Sequence, residues 1–250
     1  MVGSLAKDTI AMKRSILACT VLALLVPATV ACGSHQARVA EAPPPKRVET
    51  RKEADTLSVS SEVGALDEDA VNRVFDSVQS SLTSCIRKGA SRVELLGGDV
   101  AFFIGINLSG RADDARLERS TLGDHETESC MLQALRGRTW PKPVGGKKGQ
   151  VRKSFSFDMP NEARPPVEWS AEDVEDTLKK LHKRAEKCTG GGSGTYQITA
   201  YIDTRGSATS VGVATPDASG ASNVNCLVEL VKNARFKSPG SYPAKVSFEL

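Results

Sequence analysis

The chain has 250 residues, a formal net charge of +3 and 40% hydrophobic residues. It is long enough to bury two small cores. Its near-neutral charge provides no electrostatic basis for nucleic-acid binding, and no nucleic-acid partner is expected.

The N-terminus has the features of an export signal. Lys13 and Arg14 precede an apolar run of 12 residues, 15–26. This run is shorter than the roughly 20 residues that span a bilayer. It suits a signal peptide over residues 1–31, with Met12 as the expected start. Removing residues 1–31 leaves a formal charge of +1.

The signal ends in small residues before a cysteine, A-T-V-A-C-G-S at residues 28–34. This resembles the processing site of bacterial lipoproteins, which implies that Cys32 is acylated and anchors the protein to a membrane. Gly33, rather than Asp, follows the cysteine, and by the same resemblance this favours the outer membrane, facing the periplasm. The alternative is a soluble secreted or periplasmic protein cleaved near Ala31.

Residues 32–66 are expected to form a disordered tether that begins at the lipidated cysteine. They include three consecutive prolines at residues 43–45, many charges and no aromatic residue. Such a segment cannot bury enough apolar surface to offset its ordering entropy.

The rest of the chain predicts the same series of elements twice, over residues 67–159 and 167–250. In each, a helix, two strands, a helix and a strand follow one another. The fold class is therefore α+β, with two tandem αββαβ modules. Each module is expected to be a three-stranded antiparallel sheet with both helices packed on one face and one internal disulfide.

In the first module, Asp67 is the predicted N-cap of a helix with apolar residues at helical spacing. Strands are predicted at 100–108, 112–120 and 151–159, and a second helix from Asp124 to a left-handed end at Gly137. In the second module, strands are predicted at 196–203, 208–214 and 242–250. The helices there start near Ser170 and at Asn225, and Asn233 takes the place of Gly137.

The cysteines repeat with the same register. Gly110 precedes Cys130 by 20 residues, as Gly206 precedes Cys226. An aromatic residue follows 10 residues later in both modules, Trp140 and Phe236. In an exported protein these cysteines are expected to form disulfides. Of three connectivities the repeat favours Cys85–Cys130 and Cys188–Cys226, which give each module its own crosslink. A redox pair is the functional alternative, but no C-x-x-C is present.

No set of residues predicts catalysis, a cofactor or a metal. The chain has three histidines, His35, His125 and His182, and none has a metal-ligand spacing to another. Ser193 lies among glycines, but without the strand–turn–helix context of a nucleophile. The basic run at 179–187 is interpreted as a solvated helix face, with an anionic partner as the alternative. The chain is therefore not expected to be an enzyme.

The first module combines these cysteines and Gly110 with W-P-K-P at 140–143, Gly145-Gly146 and S-F-S-F at 154–157. This set resembles the AgmX/PglI C-terminal domain family, which is similar to the C-terminal domains of TonB and TolA. The resemblance covers nearly all of 67–159. The second module keeps Phe236 but lacks the Gly-Gly pair.

The resemblance implies a periplasmic protein-binding module of an envelope system, some relatives of which are tied to gliding motility. TonB-like domains can add a partner strand to a sheet edge. The expected function is therefore a non-enzymatic envelope lipoprotein whose tandem modules bind envelope proteins. The alternative is a lipoprotein that binds cell wall or a small ligand in a groove between the modules.

Overall fold

The computed structural model describes residues 57–59, 64–159, 163–192 and 194–250. The predicted signal peptide with Met12, Cys32, His35 and the parts of the tether up to residue 56 and at 60–63 lie outside these residues, as does Ser193. No helix in the described ranges is both long and apolar enough to cross a bilayer.

The described residues form an α+β fold with two sheets. The helices are α1 (Glu68–Ala90), α2 (His125–Arg136), α3 (Glu175–Thr189) and α4 (Val224–Lys232). The strands are β1 (Leu57–Val59), β2 (Gly98–Ile106), β3 (Ala112–Ser120), β4 (Gly149–Phe157), β5 (Val167–Trp169), β6 (Gln197–Ile202), β7 (Ala208–Ala214) and β8 (Ala244–Glu249). Short 3-10 helices, Glu172–Val174 and Ser219–Asn223, precede α3 and α4. We call the described residues up to 159 the first half and those from 163 the second half.

Each sheet has four strands, where the sequence predicted three. The first sheet has the order β1-β4-β2-β3 and is antiparallel throughout. The second has the order β5-β8-β6-β7, with β5 parallel to β8. The extra strands are β1, which falls in the predicted tether, and β5. Both occupy outer edges, where β4 and β8 would otherwise leave backbone N–H and C=O groups unpaired.

The first core lies between α1, α2 and the first sheet. As predicted, the side chain of Asp67 caps α1 by accepting a hydrogen bond from the N–H of Ala70, at 2.7 Å. Phe75 of α1 packs edge-on against Trp140, with ring centroids 5.3 Å apart. Burial of such apolar side chains is the main source of stability in this half.

The second core has the same layers. Leu181 of α3 and Leu227 of α4 pack over Ile198 of β6, and all three are fully buried. Phe236 is buried here, as Trp140 is in the first core.

The predicted left-handed end of α2 is wrong. Gly137 has φ −73° and Asn233 has φ −85°, so neither residue is left-handed. After α2 the chain makes a tighter turn, in which the N–H of Arg138 donates to Leu135 O at 3.2 Å. This turn leads directly into the pairing of Thr139 with Arg111, so no left-handed residue is needed.

Candidate functional site

The predicted disulfides are present. Cys85 on α1 is bonded to Cys130 on α2, with Cα atoms 5.8 Å apart. Cys188 on α3 is bonded to Cys226 on α4, with Cα atoms 5.6 Å apart. Each bond joins the two helices of one half. They differ in accessibility, because Cys85 is 3% exposed while Cys226 is an exposed residue.

The two halves meet through a largely polar interface. In the second sheet, one face packs on α3 and α4, while the opposite face of β6 and β7 contacts the first half. Tyr201 and Ala214 on that opposite face belong to the core of the first half. The second half therefore completes the burial of the first.

Glu128 of α2 lies at the centre of this interface and is 1% exposed. Its Oε1 accepts a hydrogen bond from Ser120 Oγ at 2.6 Å. Its Oε2 accepts one from the backbone N–H of Val213, in the second half, at 3.1 Å. Burial raises the pKa of Glu128 to about 6, although these hydrogen bonds oppose the rise.

Gly212 of β7 makes this approach possible. A Cβ atom at this position would lie 2.3 Å from Glu128 Oε1. Any side chain here would therefore push the carboxylate away from Val213.

Asp124 supplies a second charged contact between the halves. It caps α2, accepting from the N–H of Thr127 at 3.1 Å, and its Oδ1 accepts from Ser210 Oγ of the second half at 2.9 Å. Arg92 donates to Asp124 Oδ2 at 2.7 Å. Burial opposes ionisation of Asp124, but the hydrogen bonds from Thr127, Ser210 and Arg92 outweigh it and lower the pKa.

Tyr201 and Lys245 of the second half hold the loop before β2. The Tyr201 hydroxyl donates to Leu95 O at 3.0 Å, and Lys245 Nζ donates to Gly97 O at 2.7 Å. Burial raises the pKa of Tyr201 and lowers that of Lys245. Two side chains of the second half thus satisfy backbone carbonyls of the first.

The edge strands β3 and β7 also face each other. The N–H of Thr215, just after β7, donates to Leu117 O of β3 at 2.9 Å. Thr199 Oγ1 of β6 donates to Ser120 O at 3.0 Å. These two hydrogen bonds join the sheets at this side, although β3 and β7 are not paired as neighbouring strands of one sheet.

A groove of about 290 Å³ opens beside this contact, with walls from both halves. The first half supplies β3 and α2, and the second half supplies the end of β7 and the start of α4. The apolar lining residues are Ala115, Leu117, Leu132, Val213, Ala221 and Val224. The polar lining residues are Arg116, His125, Glu128, Ser129, Arg136, Thr215 and Asn225.

Two polar atoms of the residues that line the groove are buried without a hydrogen-bond partner among the described residues, Thr215 Oγ1 and Arg116 Nε. Thr215 is 4% exposed. A buried hydroxyl without a partner costs free energy comparable to a lost hydrogen bond. A ligand or a water molecule in the groove would remove that cost once the Thr215 side chain turns toward it, because Oγ1 itself is fully buried.

The other candidate residues do not form a catalytic or metal cluster in the described part of the chain. His125 lies at the start of α2 with its Nε2 3.5 Å from Ser129 Oγ, and His182 is exposed on α3. No group of three or more His, Cys, Asp or Glu in the described ranges could hold a metal ion. The Glu128 carboxylate, although it lines the groove, has both oxygens occupied by hydrogen bonds.

Sequence reasoning missed the interface between the halves. One signal was present on α2, where Glu128 occupies the same buried helix face as Met131 and Leu135. An acidic residue on such a face needs a partner when buried. The sequence did not reveal that the partner is a backbone N–H more than 80 residues away.

Comparisons with known protein families, curated proteins and solved structures gave no match for this chain.

Proposed function

We propose that the protein is a non-enzymatic binding lipoprotein of the bacterial envelope. In this proposal, residues 1–31 are a signal peptide and acylated Cys32 holds the protein on the outer membrane, facing the periplasm. The two halves are tandem TonB-like modules of the kind found in the AgmX/PglI C-terminal domain family. The matching element order, sheet order and disulfide positions of the two halves support this interpretation.

We propose that the groove between the halves is the binding site. Strand addition, the TonB-like mode, requires a free sheet edge. The inner edges β3 and β7 face each other, and β1 and β5 cover parts of the outer edges. The observation that carries the proposal is the buried Thr215 hydroxyl, which lacks a partner in the described structure and lines a groove built by both halves.

The lining suggests the type of ligand. Six apolar side chains would contact a compact apolar body, and Thr215 would hydrogen-bond to one polar group. A small ligand or a cell-wall fragment of that character fits the volume of the groove. No bond-making step is proposed.

A nuclear magnetic resonance screen of small molecules and soluble cell-wall fragments would test this site. We expect hits that shift the resonances of Thr215 and Ser129, and that are lost in Ala221→Trp, which fills the groove from an exposed position. Ala171→Trp, on an exposed residue away from the groove, is the matched control. Hits that bind equally well to Ala221→Trp would contradict the proposal.

A partner protein is the second candidate, and one observation favours it. On the outer edge of β8, β5 pairs only with Ala244–Val246, so the edge from residue 247 to 249 has no strand partner in the described chain. A photocrosslinking residue at Glu249 should then capture an envelope protein, and one at Glu186 should not. Equal capture at both positions would count against a strand partner.

The anchor has its own test. Cys32→Ser should release the protein from membranes, whereas Cys19→Ser, within the predicted signal peptide, should not. Retention of Cys32→Ser on membranes washed with high salt, which removes proteins held by charge alone, would refute acylation as the anchor.

A further inference from the structure

One end of the first half carries two apolar side chains that face solvent. Leu108 is 53% exposed and Val144 is 67% exposed, and they are the exposed large apolar residues of the described chain. Leu108 lies in the turn between β2 and β3, and Val144 in the loop between α2 and β4. Ile106 pairs with Gly149 at this same end of the sheet, which places the turn and the loop together.

Four basic residues lie within four positions of Leu108 or Val144 along the chain. Arg111, Lys142, Lys147 and Lys148 are all exposed. Lys148 forms an ion pair with Asp113 at 2.5 Å, which leaves three of the four cations without an ion-pair partner among the described residues. We call Leu108, Val144 and these four basic residues the tip patch.

The backbone holds the tip patch in place. Val144 exchanges two backbone hydrogen bonds with Ala65, at 2.8 and 3.1 Å. The next two residues, Gly145 and Gly146, have positive φ, and a Cβ on either would meet no atom within 4 Å. The loop is therefore fixed at its base and open to solvent at its end.

We propose that the tip patch docks on an anionic phospholipid surface. Leu108 and Val144 would enter the headgroup region, and the lysines and Arg111 would contact lipid phosphates. The positive charge of the patch complements such a surface. Each basic residue near it strengthens binding by about five-fold.

The position of the proposed anchor fits this docking. From Cys32 to Leu57 is 25 residues, a length that spans at most about 90 Å. A tether of that reach raises the local concentration of the patch at the membrane. Only this increase in local concentration depends on the proposed lipid anchor. Binding of the tip patch to vesicles can be tested without the anchor.

The basic face of α3 provides a matched control. Lys180, Lys183, Arg184 and Lys187 are exposed at helical spacing on one face. No large apolar side chain on α3 is exposed. If charge alone were sufficient, the basic face of α3 would bind an anionic membrane as well as the tip patch does. The proposal instead requires charge and exposed apolar side chains together.

The test uses residues 33–250, which include every described residue and exclude the apolar run at 15–26. Sedimentation should show binding to vesicles of equal parts phosphatidylethanolamine and phosphatidylglycerol, and much weaker binding to phosphatidylcholine vesicles. Lys142→Gln with Lys147→Gln should reduce the affinity about 25-fold. Leu108→Ser with Val144→Ser should also reduce it, and Lys180→Gln with Lys183→Gln should not.

A second readout reports insertion. The fluorescence of Val144→Trp should shift to the blue on adding the anionic vesicles. Absence of binding to anionic vesicles, or equal losses from the tip and α3 variants, would overturn the proposal. Salt-resistant membrane retention of Cys32→Ser in cells would refute the anchor alone, because docking by the charged tip patch is weakened by salt and does not depend on acylation.

Discussion

The carboxylate of Glu128, on α2, accepts a hydrogen bond from the backbone N–H of Val213, on β7, over 3.1 Å. A side chain on a helix of the first half thus satisfies a backbone N–H group on a strand of the second half. Together with the Asp124–Ser210 and Tyr201–Leu95 hydrogen bonds, this contact joins the two halves. Glu128 and Val213 also line the groove.

Glu128 makes stability depend on pH. Its pKa in the folded protein is about 6, above the ordinary glutamate value of 4.5. Between these values the folded state keeps a proton that the unfolded state has released, so stability falls as pH rises through this range. From about pH 4 to about pH 7 the protein should lose about 2 kcal/mol that Glu128→Gln does not lose. Urea unfolding at several pH values measures this difference.

Glutamine is the appropriate substitution because its amide resembles a protonated carboxyl. It can accept from Val213 and donate to Ser120. Glu94→Gln, on an exposed residue, should leave the pH dependence of the wild type unchanged. Parallel pH profiles for the wild type and Glu128→Gln would show that Glu128 does not have a raised pKa.

Gly212→Ala should weaken the same interface. The added Cβ would lie 2.3 Å from Glu128 Oε1 and force the carboxylate or β7 to move. We expect a loss of about 1–3 kcal/mol in the free energy of unfolding. Denaturant unfolding at neutral pH measures it, and an unchanged midpoint would mean that the halves do not pack this closely.

The ends of α2 and α3 should respond differently when their glycine is replaced by alanine. Gly137, at the end of α2, is right-handed, so Gly137→Ala should change stability by less than about 1 kcal/mol. Gly190, at the end of α3, has φ +62°, so Gly190→Ala should cost about 1 kcal/mol. Thermal unfolding of both variants checks the order, and a larger loss for Gly137→Ala would restore the left-handed end expected from the sequence.

The disulfides should differ in their reduction rates. Cys226 is exposed, while Cys85 is 3% exposed, so a thiolate reductant should reach Cys188–Cys226 first. Timed alkylation and mass spectrometry would give the order. With loops of 45 and 38 residues, loss of either bond should cost about 4 kcal/mol. Faster reduction of Cys85–Cys130 would contradict the relative burial of the two bonds.

Local features were predictable from the sequence. The Asp67 cap, the long strands and the helices follow from side-chain chemistry and periodicity over a few residues. The strands β1 and β5 were not predictable, because three residues show no period and their pairing depends on edges formed elsewhere in the chain.

The groove was missed for a related reason. The sequence raised a groove between the modules as an alternative, but did not indicate which residues would line it. Glu128, Gly212 and Thr215 acquire their roles only when β7 meets α2, and that contact joins residues more than 80 positions apart. At Gly137 the error has a different origin. The local preference of glycine predicted a left-handed helix end, but the tight turn that leads to the pairing of Thr139 with Arg111 keeps φ negative.

We claim that the two halves form one cooperative unit and thereby build the groove. The chain has two tryptophans, Trp140 in the first half and Trp169 in the second. In Trp169→Phe and Trp140→Phe, the remaining tryptophan reports one half by fluorescence, while circular dichroism reports both. Within each variant the two signals should give a single shared unfolding midpoint. Separate midpoints or a two-step dichroism curve would show that the halves unfold independently, and would contradict the claim.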